Sequence, residues 1–155
     1  MSAAPQVEVD VEDVSGTTGN PSEAEFRRWA AAALAGRREH AEVSIRIVSE
    51  AEGAELNVRY RGKTGPTNVL SFPAELPAGV PLPVVGDLVI CAPLVVREAE
   101  TQGKQLSAHW AHLTVHGCLH LIGYDHEHEV QAAEMEALET AILADLGFPD
   151  PYTPP

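Results

Sequence analysis

Val7, Val9 and Val11 alternate with Glu8, Asp10 and Glu12, and a period of two marks a strand with one buried face. A turn-rich stretch, Ser15 to Asn20, closes it. Pro21-Ser22 followed by Glu25 has the form of a capping box at a helix start. Phe26, Trp29, Ala30, Ala33 and Leu34 then recur at helical spacing until Gly36 stops them. Glu42 to Ser49 alternates again and predicts a second strand. Glu50 to Arg59 fits a short helix whose only large apolar residues are Leu56 and Val58. Arg61 to Pro66 carries turn chemistry, and Val69 to Phe72 follows as a short strand. Pro73 to Pro83 holds four prolines and predicts an exposed loop.

Asp87 to Cys91 is an apolar run suited to a central strand. Pro93 sits at the start of a helix that ends near Gly103. Ser107 to Ile122 predicts a long apolar helix stopped by Gly123. Val130 to Leu146 predicts a last helix, amphipathic through Met135, Leu138, Ile142 and Leu146. The proline-rich tail, residues 149–155, is expected on the surface. Strands and helices mix along the chain, which predicts one α+β domain over residues 1–155 with a mixed sheet of about four strands.

Composition narrows the function. With 155 residues and 45% apolar content the chain can bury a real core. Its charge is 10 − 23 = −13, a field that repels polyanions and excludes indiscriminate nucleic-acid or membrane binding. It leaves room for a nucleic-acid enzyme that holds its substrate through a small basic patch and a metal. No apolar run approaches a membrane span, and the acidic N-terminus lacks the features of a signal peptide. Cys91 and Cys118 form no C-x-x-C pair and are expected as buried thiols in a reducing cytoplasm.

Five of the seven histidines fall between His109 and His126. His116 and His120, four apart on the long helix, project from one face about a turn apart and can reach a single ion. Gly123 lets the chain reverse, and His126 returns from the loop. The pattern His116-x3-His120-x2-Gly123-x2-His126 is a three-nitrogen site with one coordination position left for water. The spacing is that of metzincin proteases, but the position of their general-base glutamate holds Gly117. That counts against a protease. His112, one turn before His116, extends the same face as a supporting partner or proton shuttle, although a surface position is the expectation for it and for His109. His128 is expected to be solvated. Asp125 is expected to support the ligands from behind, with direct ligation as the alternative.

Charge is also uneven. From Glu98 onward ten acidic residues face Lys104 alone, 1 − 10 = −9. Arg59, Tyr60, Arg61 and Lys63 concentrate three cations and an aromatic ring in five positions. Arginine offers a planar fork to phosphate, and Tyr60 a face on which a base can stack. The alternative for this island is a solvated turn.

Three motifs, NVRYRGKTGPTNVLSFP (Asn57 to Pro73), GDLVIC (Gly86 to Cys91) and HWAHLTVHGCLHLIGYDH (His109 to His126), resemble the YbeY family of bacterial metal-dependent endoribonucleases. MEALET (Met135 to Thr140) and the final DPY extend the likeness over nearly the whole chain. The resemblance implies a metzincin-like zinc site with one Zn2+ per chain on His116, His120 and His126. Nickel, cobalt or copper also suit three imidazoles. The family likeness implies a functional role for Arg61 and, through the metal, for His116 as catalytic residues. The residues themselves put Arg59, Arg61 and Lys63 on RNA phosphate and His112 and Asp125 in support. The likeness further implies a cytoplasmic hydrolase of single-stranded RNA, acting in 16S rRNA 3′-end maturation and ribosome quality control. Its partners would be the ribosomal small subunit, its proteins and assembly factors. The alternative is a non-catalytic ribosome-assembly factor with a structural metal. One departure is Thr64, where the family often carries Asp.

Overall fold

The computed structural model describes residues 6–75, 83–125 and 128–153. The alternating segments become strands: β1 (Gln6–Asp13), β2 (His40–Val48), β3 (Val69–Pro73) and β4 (Val84–Cys91). They form one sheet in the order β1-β2-β4-β3. The pairs β1–β2 and β2–β4 are parallel, and β3 runs antiparallel to β4. The apolar run of β4 therefore lies inside the sheet, as its composition predicts. It starts three residues before Asp87, because Val84 and Gly86 pair with Glu42 and Val43 of β2 across a register shift. Residues 76–82 of the expected loop lie outside the described residues.

Among the described residues five helices complete the α+β unit: α1 (Glu23–Leu34), α2 (Glu50–Arg61), α3 (Ala92–Gln102), α4 (Leu106–Leu121) and α5 (Glu129–Asp145). Ser22 and Glu25 form the expected capping box on α1, with Ser22 Oγ accepting from Glu25 N at 3.2 Å and Glu25 Oε1 accepting from Ser22 N at 3.1 Å. The inward residues of the strands, Val7, Val9, Val43, Ile45, Ile47, Leu88 and Ile90, are buried in one core with α1, α4 and α5. Phe26 meets Trp29 and Trp110 edge-on at 5.7 and 5.9 Å, which locks α1 onto α4.

Helix α4 is the axis of the molecule. It packs on α1, α3, α5, β3 and β4, and ten of its sixteen residues are buried. Such a helix can lie close to the sheet only where a side chain is missing. A Cβ on Gly117 would stand 2.8 Å from Leu88 Cδ2 and 3.4 Å from Val69 Cγ2. Ser71 Oγ on β3 donates to the Gly117 carbonyl at 3.3 Å, tying strand to helix at the same level. Cys91 and Cys118 are both free and buried. No helix among the described residues is long and apolar enough to cross a membrane.

Candidate functional site

Four histidines descend one side of α4. His116 and His120 meet edge to face with centroids 4.6 Å apart, and their Nε2 atoms are separated by 3.1 Å. Imidazole nitrogens approach this closely either by sharing a proton or by turning both lone pairs on one cation. Two ligands on a tetrahedral ion with metal–nitrogen bonds near 2.0–2.1 Å stand roughly 3.3 Å apart. The donor set therefore suits a transition metal. Gly123, with φ 103°, turns the chain beyond the helix end as its position predicts. His126 lies outside the described residues.

The second nitrogen of His116 is also engaged. Its Nδ1 lies 3.0 Å from Glu139 Oε1, and His112 Nε2 reaches the same oxygen at 2.9 Å. Both rings donate to the carboxylate, which puts the acceptor lone pair of His116 on Nε2, the nitrogen that faces His120. His112, His116 and Glu139 thus bring three ligand-type groups within 4.8 Å. Tyr152 OH completes the cluster, donating to Glu139 at 3.0 and 3.1 Å. Burial alone would raise the Glu139 carboxyl, but the His112 and His116 hydrogen bonds outweigh it and lower the group to about 2. Burial lowers His112 despite Glu139 beside it. Burial, then the Glu139 charge, pushes the Tyr152 phenol upward.

The surface position expected for His109 and His112 is not found. His109 is 3% exposed and pairs with Glu98 Oε1 at 2.9 Å. His112 is half-buried. The reason is their place on α4, whose histidine-bearing side faces α3, α5 and the C-terminal segment rather than solvent. Glu98 also accepts from Asn68 Nδ2 at 3.1 Å, while the Asn68 carbonyl accepts from Cys91 N at 2.9 Å. Those bonds anchor the loop before β3. His128 is exposed, as expected.

Helix α2 runs two residues past its expected end, to Arg61, where Gly62 caps it. This splits the basic island. Arg59 pairs with Glu55 at 3.2 Å on the exposed surface, four residues back along the helix. Arg61 instead borders a cleft of about 670 Å³ that also contains His116, His120 and Asp125. Tyr60, Asn68 and Ser71 line the same cleft, and Arg59 and Lys63 are not among its described lining residues. Tyr60 is 58% exposed and leans edge-on against Phe72 at 5.1 Å. Asn57 Nδ2 donates to the Gly65 carbonyl at 2.7 Å and so closes the turn beside the cleft.

Glu139 and Tyr152 have no place in the sequence-based site. Glu139 lies in the middle of the buried stripe of α5, between Met135 and Ile142. An acid at that helical position was the available signal. The stripe itself is centred on Met135, Glu139, Ile142 and Leu143, with Leu138 and Leu146 only half-buried. Tyr152 belongs to the tail expected on the surface, and the DPY likeness that includes it, like the MEALET run that includes Glu139, carried no role in the site.

A family model described as Endoribonuclease YbeY matches residues 11–147. The chain is 60% identical over 139 residues to an Endoribonuclease YbeY of Xanthomonas campestris pv. campestris (strain B100), covering 87% of this chain and 86% of the relative. Identity to that of Xanthomonas axonopodis pv. citri (strain 306) is 61% over 138 residues, with 86% of each covered. The protein of that name from Stenotrophomonas maltophilia (strain K279a) is 59% identical over 138 residues, with 86% of each covered. The solution structure of TM1509 from Thermotoga maritima shares the fold, with TM-score 0.53 at 22% identity over 96% of this chain and 99% of that one.

Proposed function

The chain belongs to the YbeY family of endoribonucleases, and from that premise we propose that it is a zinc-dependent, single-strand-specific enzyme of 16S rRNA 3′-end maturation and ribosome quality control. The observation that carries the metal part of this reading is the 3.1 Å approach of the His116 and His120 Nε2 atoms. His116, His120 and His126 would hold one ion per chain. Bound zinc supplies a Lewis acid that polarises a phosphoryl oxygen and brings the pKa of water towards about 7. Three imidazoles accept other divalent transition metals as well, so the donor set favours zinc without excluding them.

The remaining chemistry belongs to the chain. Arg61 borders the same cleft as His116 and His120. In this reading its guanidinium neutralises phosphoryl oxygens as negative charge grows on them. Arg59 and Lys63, just outside the cleft lining, draw in flanking phosphates of the strand. Tyr60 offers a ring to an unstacked base, which a duplex keeps inside its stack. Asp125 supports the ligands from the wall of the cleft.

The net charge of −13 makes capture of free RNA weak. The ribosomal small subunit, its proteins or assembly factors then deliver the substrate, in the cytoplasm.

The test is cleavage of an RNA carrying the 3′ end of small-subunit rRNA, offered as a single strand and as a duplex. Cutting confined to the single strand is the expected result. Equal cutting of both overturns the single-strand reading. Product ends identify the nucleophile, because 2′,3′-cyclic phosphates require attack by a ribose hydroxyl and not by water.

A further inference from the structure

Glu139 is a carboxylate with 0% exposure among Met135, Ile142 and Leu143. A buried anion of this kind persists only when its lone pairs are occupied. Its donors are not spread evenly. His112 Nε2 and His116 Nδ1 both reach Oε1, at 2.9 and 3.0 Å. Tyr152 OH spans the two oxygens, 3.1 Å from Oε1 and 3.0 Å from Oε2. The last torsion of a glutamate is soft, so two donors on one oxygen leave the carboxylate plane free to swing. A donor on the second oxygen removes that freedom.

Tyr152 is itself held. Lys104 Nζ donates to the Pro151 carbonyl at 2.7 Å, and Tyr152 N to Asp150 Oδ1 at 2.8 Å. The Tyr152 ring stands edge-on to His112 at 5.3 Å. The segment after α5 is thereby strapped across α4, with its hydroxyl turned in towards the buried acid.

We infer that Tyr152 is a positioning residue for the metal centre: through Glu139 it fixes the ring of His116 and so sets how tightly an ion is held. The inference rests on the reading of His116 as a metal ligand. Groups that orient a ligating histidine typically contribute 10–100-fold to metal affinity. Glu139, which touches His116 directly, belongs in that range. Tyr152 acts one bond further out and accounts for the lower part of it, up to about tenfold.

The experiment is zinc competition against a chromophoric chelator, with wild type, Tyr152→Phe, Glu139→Gln and His116→Ala in parallel. Melting of each metal-free protein is recorded alongside. Tyr152→Phe keeps the ring on His112 and removes only the hydroxyl, so it remains informative even where Glu139→Gln fails to fold. The expected result is zinc binding weakened several-fold in Tyr152→Phe and more in Glu139→Gln, with metal-free melting of Tyr152→Phe close to wild type. Cobalt(II) bound to Tyr152→Phe should also show altered visible absorption. Unchanged zinc affinity in Tyr152→Phe overturns the inference while the zinc reading stands. Affinity lost only in step with a lowered metal-free melting temperature overturns it too. Wild type that takes up no zinc overturns the zinc reading, and the inference falls with it.

Discussion

Leu88 occupies the space that a side chain on Gly117 would need, with its Cδ2 only 2.8 Å from a Cβ placed there. The position that carries the base in metzincin proteases therefore points into the sheet. A carboxylate at 117 would collide with β4 before it could serve any reaction. Gly117→Ala should destabilise the protein by about 1–3 kcal/mol through overpacking, and alanine's better helix propensity offsets only about 1 kcal/mol of that. Gly117→Glu should cost more and confer no peptide cleavage. Urea denaturation measures both.

Arg61 and Arg59 are two residues apart on the last turn of α2, yet only Arg61 borders the cleft while Arg59 pairs with Glu55. Arg61→Ala should lower the rate of RNA cleavage at saturation by about 10²–10³-fold, the usual cost of one preorganised charge-stabilising donor. Arg59→Ala should cost only a few-fold, mostly in KM, and exposed pairs such as Arg59–Glu55 add little stability. Steady-state kinetics on one single-stranded RNA compares them. Equal losses in both would contradict the division.

Tyr60 presents an exposed ring braced by Phe72. Stacking of one base contributes about 1–3 kcal/mol, so Tyr60→Ala should raise KM for single-stranded RNA roughly 5–150-fold with little change in kcat. Tyr60→Phe should retain most of the affinity. A Tyr60→Ala enzyme with wild-type KM would remove the ring from substrate binding.

Acid should loosen the metal-free protein in two stages. His112 is held below its ordinary value of 6.5 by burial, so the stability it contributes is present above pH 6.5 and is lost as pH falls. Glu139 is lowered from 4.5 to about 2, so its contribution is lost in the window from about pH 4.5 down to 2. Thermal melting of metal-free protein should decline gently below pH 6.5 and more steeply below 4.5. Glu139→Gln should show a flatter lower limb.

Periodicity reached the parts of this molecule that repeat. The alternation of β1 and β2, the capping box of α1 and the apolar length of α4 each follow from local chemistry and appear where it places them. The pair His116 and His120 was legible for the same reason, since four residues of helix set their geometry. Glu139 was hidden because an acid on a helix is normally solvated, and only its place between Met135 and Ile142 marks it as buried. His109 was misplaced because its burial depends on Glu98 of a different helix, a tertiary fact. Tyr152 reaches Glu139 through a strap held by Lys104 and Pro151, contacts that no periodicity encodes. The end of α2 moved for a local reason, as Gly62 rather than Arg61 supplies the stop.

The most direct test of the central claim couples metal occupancy to RNA cleavage. Zinc is titrated into metal-free wild type and into His116→Ala, and cleavage of a labelled single-stranded RNA is followed at each step. Wild-type cleavage should rise with added zinc and level off at one equivalent, while folded His116→Ala shows neither a saturable site nor cleavage. Full-rate cleavage by metal-free wild type, or by His116→Ala, would contradict the account.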